Sequence, residues 1–301
     1  GIRYDYTRLK PEMDALAQQV LTTIKRNAVE QEHSAFSPKL GAQWKLSESF
    51  ATYGQIASGF RAPNYNEVNG AFRNAAQLYA FTPNPDLKPE TSIGIELGFR
   101  MRSASTRGQV SIFDNHYKDF IENVRLNCPS DPGCIAVGGT NYVTYMSKNV
   151  STVRIYGAEF RGSWDIMPKW RADTALAYAH GTNEETNQPL NSIEPLRMTL
   201  GLAYDAGLWG GEGRLRGAAR KSRIDDSAGT YFRTPGYATT DVSAWVKPSK
   251  DTRIVVAVNN LFDQKFYLWG DIRQADATNP TGVEFYSQPG RNLRVSFQAD
   301  F

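Results

Sequence analysis

The chain has 301 residues, with 34 Lys and Arg against 31 Asp and Glu, a formal net charge of +3. So small an excess points to no polyanion, and no nucleic acid partner is expected. No run approaches the roughly 18 apolar residues of a transmembrane helix, while 12% aromatic residues exclude a disordered chain.

Gly1 opens directly into a strand-like run with no signal peptide in view, so a targeting segment is expected upstream. In the stretch 11–27, Met13, Leu16, Ala17, Val20, Leu21 and Ile24 recur at helical spacing, which predicts a short helix inside a first long loop. The clearest rhythm runs from 91 to 102. Ile93, Ile95, Leu97, Phe99 and Met101 alternate with Gly94, Glu96, Gly98, Arg100 and Arg102. Strict period two means a strand with one apolar and one polar face. The pattern returns at Tyr156, Ala158, Phe160 and Trp164, at Trp170, Ala172, Leu176 and Tyr178, and at Leu196, Met198, Leu200, Leu202 and Tyr204. The last strand reads Leu293, Val295, Phe297, Ala299, Phe301. The other face carries Glu159, Arg161, Arg171, Asp173 and Arg197.

A soluble β-sandwich also alternates. Strand length, aromatic placement and loop asymmetry favour a transmembrane antiparallel β-barrel. The strands run about ten residues or more, as a tilted bilayer span requires. Trp164, Trp170, Tyr178, Tyr204, Trp209 and Tyr237 fall near strand ends, as an interfacial girdle would. Short links at 45–48, 103–107, 166–169, 207–212 and 247–251 alternate with long segments at 10–35, 60–88, 123–150, 182–194, 225–236 and 269–290. Short periplasmic turns and long extracellular loops have this asymmetry, and counting through gives about twelve strands. Cys128 and Cys134 flank the turn-rich Pro129-Ser130-Asp131-Pro132-Gly133. Two thiols with no nearby His do not complete a tetrahedral metal site. A disulfide in an oxidising compartment is expected.

The segment Asn259-Asn260-Leu261-Phe262-Asp263-Gln264-Lys265-Phe266-Tyr267, followed by a strand ending in Phe, resembles the carboxy-terminal region of TonB-dependent receptors. So do Lys88-Pro89-Glu90-Thr91-Ser92 and Tyr156-Gly157-Ala158-Glu159. The resemblance implies that residues 1–301 are the carboxy-terminal part of a barrel of about 22 strands, whose plug domain is absent from this chain. It also implies residence in the outer membrane of a Gram-negative bacterium, contact with TonB through the plug, and no enzymatic activity. No catalytic triad, zinc pattern or phosphate loop stands against that.

Within the second long loop, Phe60-Arg61-Ala62-Pro63 and Asn84-Pro85-Asp86-Leu87 are similar to the paired boxes around the ligand loop of haem and haemoglobin receptors. The implied cargo is haem, free or from a haemoprotein. Siderophore receptors carry versions of the first box, so a ferric-siderophore receptor stays open, as does a passive porin. Many haem receptors place a His between the boxes, and this chain has none. Either the loop does not ligate iron, or it does so through oxygen. Tyrosinate is a known axial donor to ferric haem, and the candidates are Tyr79 and Tyr65. Tyr79 sits among Leu78, Ala80 and Phe81, as an iron ligand or as a packing aromatic. Tyr65 directly follows the first box. Arg73 could lower a phenol pKa or pair with a propionate. His33 is read as a loop residue, His116 as wall and His180 as interfacial, while Arg214, Arg216 and Arg220 are read as lumen lining.

Overall fold

The computed structural model describes residues 1–13, 15–273 and 275–299, and at Leu16 and Ser151 the backbone alone. Phe301, expected to end the last strand, lies outside the described residues. The first third of the chain forms β1 (Ile2–Leu9), α1 (Ala15–Thr23), β2 (Gln31–Lys45), β3 (Phe50–Arg61), the one-turn helix α2 (Tyr65–Val68), β4 (Phe72–Asn74), β5 (Tyr79–Thr82) and β6 (Glu90–Arg102). The middle forms β7 (Thr106–Arg125), β8 (Ala136–Val137), β9 (Thr140–Asn141), β10 (Val143–Met167) and β11 (Trp170–Asn183). Then follow β12 (Arg197–Asp205), β13 (Trp209–Ala218), β14 (Tyr237–Ser249), β15 (Thr252–Asn259), α3 (Trp269–Ile272), α4 (Pro280–Glu284) and β16 (Asn292–Ala299).

Among the described residues, twelve strands make one continuous wall in the order β1-β2-β3-β6-β7-β10-β11-β12-β13-β14-β15-β16. Each is antiparallel to its neighbour, so the chain meanders up and down as its alternating links predict. Between wall strands, the short links are 46–49, 103–105, 168–169, 206–208 and 250–251, all on one edge. The long segments 10–30, 62–89, 126–142, 184–196, 219–236 and 260–291 share the other.

Register explains the two faces. Directly opposed residues point to the same side of a sheet. Trp44, Thr52, Phe99, Val110, Phe160, Leu176 and Met198 form one cross-strand row on the outer face. Leu97, on the same face, is 54% exposed. So wide an apolar surface left bare on the protein needs lipid against it. The next residues along each strand turn inward and are polar. Tyr53 Oη donates to Glu96 at 2.6 Å, Gln55 Nε2 donates to the same carboxylate at 2.7 Å, and Gln109 Nε2 donates to Tyr53 Oη at 3.1 Å. Gly98 makes room for this network, because a Cβ there would lie 2.2 Å from the Tyr53 ring.

Arg214 pairs with Glu212, and Arg216 lies 2.9 Å from Asp241, both on the inner face. Arg220 does not join that row, because β13 ends at Ala218 and Arg220 lies in the following loop. Tyr237 is also inward, opposite Ala218, and packs on Phe266 at 4.7 Å instead of serving the outer girdle. His33 belongs to β2, opposite Thr7, because that strand begins at Gln31. The apolar cores lie in the long-loop cap. One joins Ile224, Tyr231, Tyr267, Trp269, Ile272 and Val283; another joins Ala80, Ile135 and Tyr142.

Candidate functional site

The two boxes meet at the root of the 62–89 segment. Arg61, the last residue of β3, holds two carboxylates: Nη1 lies 3.0 Å from Glu67 and Nε 2.8 Å from Glu90. Glu67 also accepts from the Asn64 N–H at 2.8 Å, while the Asn64 side chain accepts from the Glu67 N–H at 3.0 Å. This reciprocal capping box sets the start of α2. Glu90, the first residue of β6, accepts from the Ile121 N–H at 2.9 Å. One guanidinium thus ties together β3, α2 and β6, with β7 held through Glu90.

The second box closes on the first. The Asn84 N–H donates to the Glu67 carbonyl at 3.1 Å. Its side chain accepts from the Asp86 N–H at 3.2 Å and donates to the Ser147 carbonyl at 2.8 Å. Gln31 donates to the Pro85 carbonyl at 2.8 Å. Leu87 sinks among Val68, Ile121 and Val29, and Pro63 is buried beside the box arginine. Phe60 stays in the wall, opposite Thr91, and Ala62 is the first residue out of β3. The boxes form a clasp at the base of the loop.

Above the clasp, β4 and β5 make a short hairpin, and β5 runs parallel to the extended end of β10. This register sorts the side chains. Phe72, Phe81, Asn74 and Tyr79 share one face; Arg73 and Ala80 share the other. The Tyr79 ring lies 5.5 Å from Phe72 and 6.5 Å from Phe81, and Phe81 stacks on Tyr145 at 5.3 Å. Four aromatic rings therefore form a continuous run. Tyr145 adjoins Arg125, and Arg125 lies 3.9 Å from Asp276 of the last long loop. Arg73 is not beside Tyr79: its guanidinium lies 6.0 Å from the Tyr142 ring centroid on the opposite face. Tyr65 begins α2 at the clasp and is exposed.

The histidines lie elsewhere. His33 contacts Gln31 at 3.1 Å, His116 lies 3.6 Å from Asp114, and His180 stacks on Tyr156 at 4.8 Å. Cys128 and Cys134 are bridged, with a Cα separation of 5.6 Å. Sequence reasoning did not single out Glu67, Asn149 or Tyr145. Asn149 pairs with the Lys88 backbone in both directions, at 2.9 Å each way, across 61 residues. No local pattern signals so distant a contact. The Glu67 role was readable, since Asn-x-x-Glu is a capping-box spacing.

The family described as TonB dependent receptor-like, beta-barrel, matches residues 1–261, and the chain belongs to it. Its place is the outer membrane. Among curated relatives, the Hemoglobin-haptoglobin utilization protein B of Neisseria meningitidis serogroup C is 26% identical over all of this chain and 42% of its own length. The Iron-regulated outer membrane virulence protein of Vibrio cholerae is 30% identical over 77% of this chain and 36% of its own. Among solved structures, the copper transporter OprC matches all of this chain and 44% of its own, with a TM-score of 0.75 at 21% identity. The ferric enterobactin receptor of Pseudomonas aeruginosa matches 90% of this chain and 41% of its own, with a TM-score of 0.66 at 23% identity. The chain spans less than half the length of these proteins.

Proposed function

We propose that the receptor containing this chain takes up haem, free or drawn from a haemoprotein. The chain supplies wall, lumen lining and capture loops; a plug fills the lumen and TonB energises passage, with no enzymatic step. The observation that carries this reading is the aromatic run Phe72–Tyr79–Phe81–Tyr145 above the box clasp. A flat porphyrin buries well against aromatic faces, and at one end the run reaches Arg125, whose fork has further N–H donors beside the one facing Asp276. The hemoglobin-haptoglobin name of a relative matching the whole chain supports the same cargo. With no His between the boxes, Tyr79 is the axial donor.

A ferric siderophore is the second reading, favoured by the same aromatic and guanidinium groups, which also suit a catecholate. The test is Tyr79→Phe in the complete receptor. Phe keeps the ring packing and removes the oxygen. The tyrosinate-to-iron charge-transfer band should vanish and haem retention weaken, with the barrel still folded. An unchanged haem spectrum eliminates Tyr79. The same loss in Tyr65→Phe instead moves the ligand to Tyr65, and no haem binding by the unaltered receptor leaves the siderophore reading.

A further inference from the structure

The aromatic run ends on a guanidinium that another loop already claims. Register places Phe81, Tyr145 and Arg125 side by side across β5, β10 and β7. The Arg125 side chain is 21% exposed, and its Nη1 lies 3.9 Å from Asp276 Oδ2, in the last long segment. At that distance the two groups attract without a hydrogen bond. The guanidinium lies against Gly229, where a Cβ would sit 2.6 Å from Nη1, so the missing side chain is what admits it. The end of β7, the 219–236 loop and the 260–291 loop therefore converge on one cation.

Asp276 does not depend on Arg125 for its place or its charge. Its other oxygen accepts from the Thr278 N–H at 2.8 Å and from Thr278 Oγ1 at 2.6 Å. These bonds, ahead of Arg125, hold the carboxyl below the ordinary carboxylate range. Asp276 also bridges to Tyr231 through the backbone. On either side, the Phe232 N–H donates to the Ala275 carbonyl and the Ala277 N–H to the Thr230 carbonyl, at 2.9 Å each. Asp276 is thus an anion fixed by its own loop and the neighbouring one, while the Arg125 fork still has donors to place.

From this juxtaposition we propose that Arg125 selects a flat ligand bearing a carboxylate on the aromatic run, and that Asp276 sets the strength of that selection as a built-in competitor for the same guanidinium. The proposal rests on the haem reading and adds to it the residue that recognises a propionate and the residue that opposes it. A carboxylate arriving along Tyr145 can take two parallel N–H bonds from the fork, which the contact at 3.9 Å does not provide. It also arrives beside a fixed negative charge, so Asp276 weakens an anionic ligand and leaves a neutral one untouched. A ring system without a carboxylate gains the aromatic faces alone. The site therefore discriminates by charge as well as by shape.

The test titrates the complete receptor with haem and with haem dimethyl ester, whose carboxylates are capped, and reads binding from the Soret band. The unaltered receptor should bind haem about tenfold more tightly than the ester. Asp276→Asn keeps an acceptor for Thr278 and removes the charge. It should tighten haem about threefold and leave the ester unchanged. Arg125→Gln should weaken haem to the affinity of the ester, with Arg125→Lys between, because lysine keeps the charge but not the fork. A purely structural role for either residue would move haem and ester together, and that result overturns the proposal. So does haem affinity that Asp276→Asn leaves unchanged or lowers. Heat-modifiable gel mobility reports whether each variant barrel is folded; if Arg125→Gln is not, Asp276→Asn alone decides. Equal affinity of the unaltered receptor for haem and ester overturns the selection by Arg125 and leaves the haem reading standing. Binding of neither overturns both.

Discussion

Arg61 shows how one side chain of a sequence box carries structural weight. Glu90 beneath it has a side chain only 12% exposed, so Arg61→Ala leaves a nearly buried carboxylate without its guanidinium. Breaking a fully buried pair costs about 3–5 kcal/mol. The Arg61 side chain is 40% exposed, so solvent screens part of that loss. We expect about 1–2 kcal/mol, concentrated in the clasp. Amide exchange across 62–89 should quicken by about tenfold, with the wall strands unchanged and Arg61→Lys intermediate, because lysine keeps the charge but not the fork. Protection that stays constant in Arg61→Ala would show that the loop is held without it. Lys221 makes a different point. It donates to the Ile193 carbonyl and lies 4.9 Å from the Trp269 ring centroid. Burial pushes its ammonium down to about 8; Glu194 and Glu122 pull upward, and Arg223 and Arg273 add to the fall. In the unfolded chain the amine titrates near ~10.4, so between these values the unfolded state binds the extra proton. Stability of this loop junction should therefore rise from about pH 8 toward about pH 10. Protection factors at 190–193 should rise over that window, and should stay flat in Lys221→Met. A fall in the parent protein would mean that loss of the cation–π contact outweighs relief from burying charge.

At the scale of elements, legibility followed the length of the pattern. Alternation over 91–102 marked β6, which runs Glu90–Arg102, within a residue of expectation. The helix expected within 11–27 forms only at Ala15–Thr23. Arg26 N–H bonds to the Leu21 carbonyl and Lys25 adopts φ 56°, a left-handed residue that stops the helix. The β4–β5 pair was not legible, because strands of three and four residues hold too little alternation. Their docking on β10 joins Tyr79 to Val143, a pairing that no local sequence signal encodes. The boxes were legible as motifs but not as a clasp, since the clasp depends on Ser147 and Asn149 arriving from β10. The disulfide was legible from its turn-rich spacing. It closes a short loop beside the Ala80, Ile135 and Tyr142 core, and chain entropy assigns it roughly 2 kcal/mol. In the complete receptor, the two native cysteines should resist thiol labelling until reduced. Cys128→Ser/Cys134→Ser should raise proteolysis within 126–142 and leave the folded barrel's gel mobility intact. Quantitative labelling without reductant would refute the bridge.

For the whole molecule, two aromatic belts fix how the wall stands in the membrane. At the short-link edge, Trp170, Tyr204 and Trp209 contact in sequence at 5.0 and 5.1 Å. At the long-loop edge, Tyr156 stacks on His180. Between them the outer rows are apolar, so the sheet can sit at only one depth without burying Asp114 and Arg154 in hydrocarbon. Depth alone does not say which edge faces the outside. The loop asymmetry does, because barrels keep short turns in the periplasm and long loops at the cell surface. The clasp and the aromatic run are then extracellular, as the proposed capture of haem requires. Single cysteines placed at exposed positions of a Cys128→Ser/Cys134→Ser receptor test this directly. Ala76→Cys and Asn141→Cys lie in the long segments, and Pro168→Cys and Lys250→Cys in the short links. On intact cells, a membrane-impermeant maleimide should label the first pair and not the second. All four should react once the outer membrane is opened, which shows that each thiol is accessible. Labelling of Pro168→Cys and Lys250→Cys alone on intact cells would invert the barrel. That outcome would set the box loop in the periplasm and remove the basis for ligand capture by it.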